Sequence, residues 1–436
     1  MRGTRAMAGV LVALVAVVAV AVVASAAVAP PAYAADPPRI TLDGTAVTGA
    51  TTTSQAPELG TGVWLTDSPT GDESRWFLVP RTHPGSTIRV GAALQPGQGG
   101  AGIGLALVTV QSQHSCGSAS GTTAYGDAGS TQLLTLAVGS RGDDLYADCL
   151  TDDALLLELT ASGEPDRPRS TPVRLVVSEE PAVKDAGSLP PPATSPVTWT
   201  DVPATGSADK VAPGHAFAGA PLLEDGFHAA SVRPGEVQLF RVHLDWSQAL
   251  ETELRVPAVG EDSAVPGATT IHLRLCSPVL EPAGAAAQTA GGDSLSDDTY
   301  AQTGDEGRAR AATPPVRYRN TGADDSDVRP ASLPGDYYVV VSMDPVDPDT
   351  DEPGAADAEV PYQLVVERTG HAGTGAPAYD GGRLVIGGQT SDGPGAVRLA
   401  TAGVLAALGL GCLGGSAVLL TRRARGRRGR RTAAPA

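Results

Sequence analysis

The residue types that carry out most enzyme chemistry are spread thinly along this chain of 436 residues. Zinc proteases need two histidines one helical turn apart, as in His-Glu-x-x-His, and many serine hydrolases need a Gly-x-Ser-x-Gly turn. Neither spacing occurs before residue 399, so we predict a protein without catalytic residues, cofactor or metal ion. A Ser/His/Asp set that meets only in space stays open. The seven histidines stand one to a segment: His83, His114, His215, His228, His243, His272 and His371.

Two acidic clusters offer carboxylate oxygens, which are the ligands that calcium takes. One is Asp324, Asp325 and Asp327, and the other runs from Asp344 to Glu352. Neither has the Asp-x-Asp-x-Asp-Gly spacing of a calcium-binding loop, and prolines interrupt the second. We therefore expect both to be solvated loops.

Three cysteines precede residue 399, and Cys412 lies beyond it. In an oxidising compartment Cys116 and Cys149 are the natural pair, because both fall in the first half of the chain. Their disulfide would close a loop of about 32 residues and stabilise the fold by about 3 kcal/mol. Cys276 sits in an alternating strand pattern typical of a buried thiol. A disulfide between the two halves is the alternative.

The elements that hold these residues are predicted to be strands. Apolar residues alternate over five to eight positions, as in Phe240-Arg241-Val242-His243-Leu244, and turns rich in Gly, Pro and Asp separate the runs. Alternation with frequent turns favours a mainly β fold of antiparallel, jelly-roll-like sandwiches. The aromatic residues are then expected mainly to pack in the cores or at their rims, with a ligand platform as the alternative: Trp76, Phe77, Phe240, Trp246, Tyr337 and Tyr338.

A weak internal repeat indicates two copies of one domain. A repeat this long excludes a solenoid, whose units span about 20 to 50 residues. The matching segments keep the same order in both halves: 56–59, 62–64, 75–79, 155–159 and 173–177 in the first, and 220–223, 226–228, 238–242, 337–341 and 362–366 in the second.

These segments resemble the bacterial pre-peptidase C-terminal domain, a small secreted β-sandwich. The resemblance rests on an aromatic pair in residues 75–79, the Pro84-Gly85 turn, the Ile88-Arg89-Val90 strand, and the late strand that begins Gly335-Asp336-Tyr337-Tyr338. Residues 242–248 also look like exported proteins of high-GC Gram-positive bacteria. The first copy departs from the pattern, with Asp152-Asp153-Ala154-Leu155 in place of the Tyr-Tyr strand. The resemblance implies an accessory module that flanks enzymes or binds at the surface, and it carries over no catalytic residue.

The domain boundaries are predicted from changes in composition along the chain. We expect a first sandwich at 35–180, a proline-rich linker at 181–213 that forms an extended spacer, and a second sandwich at 214–370. An Ala/Gly/Asp-rich insertion at 281–332 is expected to be disordered or a mobile loop. Residues 371–398 read as a glycine-rich stalk.

The two ends predict export and anchoring. Arg2 and Arg5, an apolar run and Ala32-Tyr33-Ala34 are typical of a signal peptide, residues 1–34, cleaved after Ala34; an uncleaved anchor is the alternative. Residues 399–420 are uncharged and reach roughly 33 Å as a helix, enough to cross a bilayer once. Seven arginines follow in the tail at 421–436, which places the C-terminus in the cytoplasm. A wall-sorting signal is disfavoured because no Leu-Pro-x-Thr-Gly precedes the span.

Charge narrows the function further. Residues 35–398 hold 22 basic and 48 acidic residues, a formal charge of −26 that repels nucleic acid and acidic polymers. We expect a membrane-anchored extracellular binding or accessory protein of the cell envelope, with another envelope protein as its partner. The alternatives are a secreted hydrolase or regulatory subunit, and an oligomerising scaffold in which Gly411 and Gly415 form a homodimer contact between membrane helices.

Overall fold

The computed structural model describes residues 38–95, 102–122, 133–140, 147–162, 170–200, 206–260, 269–302, 304–346 and 355–390. The signal peptide, the membrane span with Gly411 and Gly415, and the arginine tail all lie outside these ranges and stay predictions. Within them, no helix is both long and apolar enough to cross a bilayer.

The first copy is a sandwich of two sheets. One sheet has the order β1–β2–β9–β4–β7 and the other has the order β3–β8–β5–β6. The bounds are β1 Thr45–Ala46, β2 Gly62–Asp67, β3 Ser74–Pro80, β4 Thr87–Leu94, β5 Gly102–Thr109, β6 Ser115–Thr122, β7 Leu134–Gly139, β8 Ala154–Ser162 and β9 Pro172–Glu180. A single helical turn, α1 at Asp148–Thr151, precedes β8.

The second copy repeats this arrangement. Its sheets have the orders β11–β12–β20–β14–β18 and β13–β19–β15–β17, and a short parallel ladder of β10 with β16 lies beside them. The bounds are β10 Val197–Thr198, β11 Ala208–Lys210, β12 Gly226–Val232, β13 Val237–Leu244, β14 Ala249–Val256, β15 Thr270–Cys276, β16 Ala287–Gln288, β17 Asp298–Tyr300, β18 Gly307–Ala312, β19 Gly335–Met343 and β20 Val360–Thr369. Short 3-10 turns occur at Thr53–Gln55, Ala186–Ser188, Tyr318–Gly322 and Ala355–Asp357.

The two copies share one strand connectivity. Each begins with a short strand parallel to the next, after which eight strands form sheets of order 1-8-3-6 and 2-7-4-5, the jelly-roll arrangement. Backbone hydrogen bonds outside the strand ladders also recur. Leu59 donates its N–H to the carbonyl of Leu78 in β3, and Leu223 donates its N–H to the carbonyl of Arg241 in β13, the equivalent strand of the second copy. The predicted mainly β fold is confirmed, and the repeated segments occupy equivalent strands.

Alternating residues fill each core. In β13 the side chains of Phe240, Val242 and Leu244 point inward and are fully buried. Phe77 and Tyr337 are also fully buried, and Trp246 is nearly so, as expected for core aromatics. Alternation therefore places one face of each strand in the interior.

The outer faces of two sheets are also buried, because the two copies pack against each other. Ala93 and Val176 of the first copy form an apolar cluster with Leu239, Cys276 and Val340 of the second. A Cβ added at Gly91 would overlap the carbonyl oxygen of Val279. The two sandwiches thus share a packed interface.

The linker and the insertion differ from the expectations for them. Residues 189–193 lie along the second sandwich, where the backbone N–H of Ala193 donates to Oδ1 of the fully buried Asn320 at 2.9 Å. Within 281–332, β18 is an integral strand of the five-stranded sheet, and Ala283, Val316 and Val328 are buried. Alanine-rich composition indicated disorder, but small side chains allow close packing against a sheet.

Residues 371–390 fold back rather than forming a stalk. Ser247 donates its hydroxyl to the carbonyl of Thr374 at 2.6 Å, and Lys184 donates its N–H to the carbonyl of Ala378 at 2.8 Å. A hairpin of β21, Val385–Ile386, and β22, Gln389–Thr390, then adds to the first sandwich by pairing with the end of β9 that extends beyond β2. Glycine gives this segment several turns with positive φ, which its composition alone could not distinguish from flexibility.

Candidate functional site

One Ser/His/Asp set does meet in space, at the turn between β5 and β6. Nδ1 of His114 lies 3.1 Å from Oγ of Ser112 and 2.9 Å from Oδ2 of Asp148. A catalytic relay needs the hydroxyl on one ring nitrogen and the carboxylate on the other. Both partners here share Nδ1, so this arrangement cannot pass a proton from the serine to a base that the aspartate orients.

The same cluster has a clear electrostatic signature. Desolvation acts to raise the pKa of Asp148, but the hydrogen bonds from His114 and Ser112 outweigh it and lower that pKa. Asp148 adjoins Cys149, which forms the predicted disulfide with Cys116. The cluster therefore lies beside the covalent link between α1 and β6 and is well placed to fix the turn.

His272 sits between two carboxylates in the second copy. Its Nδ1 is 2.7 Å from Oδ1 of Asp298 and its Nε2 is 3.0 Å from Oδ1 of Asp344. Burial acts to lower the pKa of His272, but the hydrogen bonds and charges of the two aspartates raise it overall. Asp344, which the sequence placed in an acidic loop, is thus a histidine partner; the following acidic residues 347–352 lie outside the described ranges.

In the other acidic cluster, two aspartates accept hydrogen bonds from backbone N–H groups. Asp325 accepts the N–H of Asp327 through Oδ1 at 2.9 Å, and Asp327 accepts that of Ala286 through Oδ2 at 3.2 Å. Among the described residues, no three His, Cys, Asp or Glu side chains are arranged to hold a metal ion. Cys276 is a free, buried thiol whose Sγ is 3.3 Å from Oγ1 of Thr135, so the alternative disulfide between the halves is wrong.

A groove with a volume of about 1040 Å³ lies on the second sandwich. It lies on the outer face of the sheet β11–β12–β20–β14–β18, whose inner face packs in the core. Volumes of this size are typical of sites that hold small molecules or short oligomers. The residues that form its floor and rim include Lys210, Pro213, Ala229, Ser231, Arg255, Pro257, Glu306, Arg308, Glu359, Pro361 and Gln363.

A single row of side chains crosses all five strands along the floor of the groove. Lys210 is opposite Ala229, Ala229 is opposite Gln363, Gln363 is opposite Arg255, and Arg255 is opposite Arg308. Four strand spacings make the row about 19 Å long. Cations thus stand at both ends, with a small and an amide side chain between them.

The adjacent row carries a buried carboxylate that holds the arginines. Nε of Arg255 donates to Oε1 of Glu253 at 2.7 Å, and Nε of Arg310 donates to Oε2 at 2.9 Å. Arg308 adds an ion pair to the same carboxylate, with its guanidinium nitrogen 3.5 Å from Oε1. Desolvation acts to raise the pKa of Glu253, but the hydrogen bonds and charges of the arginines lower it.

Two aromatic rings lie beside these arginines. Arg255 lies over the ring of Phe227, with 5.6 Å from its guanidinium carbon to the ring centre, and Arg310 lies 5.8 Å from the centre of the Trp199 ring. A Cβ at Gly206 would overlap the Phe227 ring, so the chain passes close over it. Two further carboxylates line the groove: Oε1 of Glu306 accepts a hydrogen bond from Nε of Arg308 at 2.9 Å, and Glu359 forms an ion pair with Arg233.

A smaller polar pocket of about 290 Å³ lies between the two sandwiches. Its lining includes Arg89, which is buried and donates through one guanidinium nitrogen to Oε2 of Glu180 at 3.1 Å and to Oγ1 of Thr321 at 2.8 Å. Tyr379 donates to the same glutamate at 3.3 Å. These contacts join both copies and residues 371–390, so we assign Arg89 to the interface.

Sequence reasoning missed the groove. Its cations lie at 210, 255 and 308, far apart in the chain, and only the strand order brings them into one row. One signal was present in the sequence. Glu253-Leu254-Arg255 and Arg308-Ala309-Arg310 alternate charged with apolar residues, and a strand whose apolar side chains face the core places its charged side chains on the outer face.

Comparison with known proteins adds no assignment: no family model matches the chain, and no curated protein does either. Among solved structures, the tandem CBM22 domains of Xyn10C from Paenibacillus barcinonensis are 11% identical, with 69% of this chain and 85% of that chain covered and a TM-score of 0.20. Proteins described as secreted from Parabacteroides distasonis and Eubacterium rectale are each 8% identical with a TM-score of 0.16; the matches cover 70% and 68% of this chain and 91% and 70% of theirs. TM-scores this low carry no argument, and the resemblance to pre-peptidase C-terminal domains stays a prediction.

Proposed function

We propose that this chain is an extracellular binding protein of the cell envelope, anchored by one membrane span and without catalysis of its own. The observation that carries the proposal is the groove on the second sandwich, which combines an open floor with a row of fixed cations. The site is built on strands, and Glu253 holds its arginines in place. Rigid elements of this kind preorganise a surface for a ligand.

Ser112 and Asp148 share one ring nitrogen of His114, an arrangement that favours a structural role for this cluster over hydrolysis. The polar side chains that line the groove include cations, carboxylates, Ser231 and Gln363. Such groups orient and discriminate a bound molecule.

Photo-cross-linking on intact cells tests the proposal. A benzophenone maleimide attached to a Ser231→Cys variant places the probe in the groove, and the same reagent on Ser188→Cys, an exposed position in the linker, is the matched control. We expect a discrete adduct from position 231 that position 188 does not give. Identical adduct patterns at the two positions would contradict a binding role for the groove.

A further inference from the structure

The linker covers part of the sheet that carries the groove. Next to the row on the groove floor, strands β12, β20, β14 and β18 present a second row on the same face: Phe227, Val365, Glu253 and Arg310. Linker residues 197–200 lie over this second row, because Trp199 is 7% exposed and packs in one apolar cluster with Val365 and Ala312. The groove is therefore a part of the outer face that these linker residues leave uncovered.

Short contacts hold the linker on the sheet. The backbone N–H groups of Val197 and Trp199 donate to the carbonyls of Ala286 and Gln288 at 2.7 and 2.8 Å, around the two-residue ladder of β10 with β16. The guanidinium group of Arg310 lies against the Trp199 ring. A segment with so short a ladder can open locally at a smaller cost in free energy than the five-stranded sheet beneath it.

Glu251 is buried under this segment. Its side chain is only 4% exposed, and its Oε2 accepts the backbone N–H of Thr200 at 3.1 Å. The residues directly opposite it on the adjacent strands are Glu367 on β20 and Ala312 on β18. The linker thus covers a carboxyl group whose strand neighbours are another carboxyl group and a methyl group.

The charged groups around Glu251 do not neutralise its carboxylate. Glu253, the next residue on the same face of β14, is also acidic, and Arg310 of β18 donates to Glu253 at 2.9 Å. Residues 197–200 and the two residues of β16 carry no charged side chain. An ionised Glu251 would therefore be a buried anion close to other carboxylates, and water can solvate it only when the linker moves away.

Deprotonation of Glu251 and opening of the linker are coupled for this reason. While the linker is in place, desolvation and the charge of Glu367 raise the pKa of Glu251 from 4.5 to about 7. An open linker returns the carboxyl group to water and lets it ionise at a lower pH. The closed linker is therefore fully favoured below pH 4.5, and this preference is lost as pH rises through 7.

We infer that residues 197–200 form a pH-dependent lid, which ionisation of Glu251 loosens, so that the outer face opens beyond the groove to Phe227 and Val365. The open lid offers a ligand apolar contacts that the closed lid withholds. This extension of the groove rests on the proposed function, whereas the opening of the lid depends only on the contacts of Glu251 and Trp199.

Hydrogen exchange of the full-length protein in mild detergent tests the lid. After correction for the intrinsic exchange rate at each pH, the protection of the Trp199 and Thr200 amides should fall at least tenfold between pH 5 and 8. The rise in pKa from 4.5 to about 7 sets an upper limit of roughly 300-fold. The amides of β19 are the internal control and should keep their protection, because the lid opens without unfolding the sandwich.

Three variants connect the change to Glu251. Glu251→Gln should make the protection of the lid independent of pH, and Glu367→Gln, which removes the opposing charge, should make the change smaller. Glu224→Gln removes an exposed carboxylate of the same sandwich, a partner of Arg368, and is the matched control that should behave as the parent does.

Constant protection of the lid in the parent would overturn the inference. An equal loss of protection in β19, or a Glu251→Gln variant that keeps the full change, would overturn it as well. If the lid opens as expected but position 231 gives no discrete adduct, the lid stands and the proposed function fails.

Discussion

Glu253 shows how one carboxylate can set the chemistry of a surface. It is almost fully buried, and three arginines from β14 and β18 contact it. Their attraction outweighs the desolvation of the carboxylate, so it stays ionised, and their guanidinium groups are held on the outer face of the sheet. The residue is therefore both a structural partner and the fixed point of the groove.

Replacing Glu253 should destabilise the second sandwich. Glu253→Gln leaves Arg255, Arg308 and Arg310 close together without their shared counter-charge, and removing one partner of a buried ion pair typically costs about 3 kcal/mol or more. Urea unfolding at neutral pH measures the loss. Glu306→Gln, which removes an exposed partner of Arg308, is the control and should cost less than about 1 kcal/mol. Equal losses for the two variants would show that Glu253 does not hold the cluster.

Glu251 gives the second sandwich a dependence on pH. Its side chain lies under the linker, where Oε2 accepts the N–H of Thr200 at 3.1 Å, and its strand position is opposite Glu367. Desolvation is the main cause that raises the pKa of Glu251 from 4.5 to about 7, and the charge of Glu367 adds to it. Because the folded protein holds this proton more tightly than the unfolded chain, its contribution to stability is present below pH 4.5 and is lost as pH rises through 7.

A Glu251→Gln variant should remove this dependence. At about 1.4 kcal/mol per pH unit, the parent should lose roughly 3 kcal/mol relative to the variant between pH 4.5 and 8.5. The free energy of unfolding in urea, measured for both proteins at several pH values, gives this difference. A difference that stays constant across the range would mean that Glu251 titrates as it does in the unfolded chain.

The strands of both sandwiches could be predicted from the sequence to a useful degree. Alternation identified the inward residues of β13, and the repeated segments fell on equivalent strands because a duplicated core keeps its apolar positions. The continuous apolar run from Tyr337 to Val341 contained a second signal, which a search for alternating residues does not detect. Both faces of this strand are buried, one in the core and one at the interface, as continuous apolar runs indicate.

The insertion could not be predicted, and the reason is physical. Composition reports how much apolar surface a segment carries, but the alanines of 281–332 are buried by close approach to the sheet rather than by size. The groove could not be predicted either, because the register across the five strands determines which charged residues, distant in the chain, become neighbours in the sheet.

The disulfide is an element-scale link whose stabilisation can be measured. Cys116 and Cys149 are 33 positions apart, and closing a loop of this length should stabilise the fold by about 3 to 4 kcal/mol. A Cys116→Ser/Cys149→Ser double variant should therefore unfold at lower urea, and reduction should lower the stability of the parent but not of the double variant. Cys276→Ala is the control, because burial raises the pKa of that thiol to about 11 and keeps it unreactive. This variant should be as sensitive to reduction as the parent. A parent that reduction leaves unchanged would exclude a stabilising disulfide.

At the scale of the whole molecule, the two sandwiches are joined by three separate kinds of contact. An apolar cluster fills the space between their facing sheets, Arg174 lies 4.7 Å from the centre of the Phe217 ring, and Arg89 donates to Thr321. Residues 371–390 pair with β9 of the first copy and contact Ser247 of the second. A linker that was expected to be an extended spacer instead runs along the second sandwich, and the two copies share a packed interface.

This interface should make the two sandwiches unfold together. Differential scanning calorimetry of the parent should show one transition, because neither copy can expose its outer face without losing the shared cluster.

Gly91→Ala places a methyl group against the carbonyl of Val279 and should force the facing sheets apart, at a cost of about 3 kcal/mol or more, and divide the transition into two. Gly60→Ala, where a Cβ has open space, is the matched control and should keep the single transition. Two resolved transitions in the parent, or one unshifted transition in Gly91→Ala, would mean that the sandwiches do not depend on each other for stability.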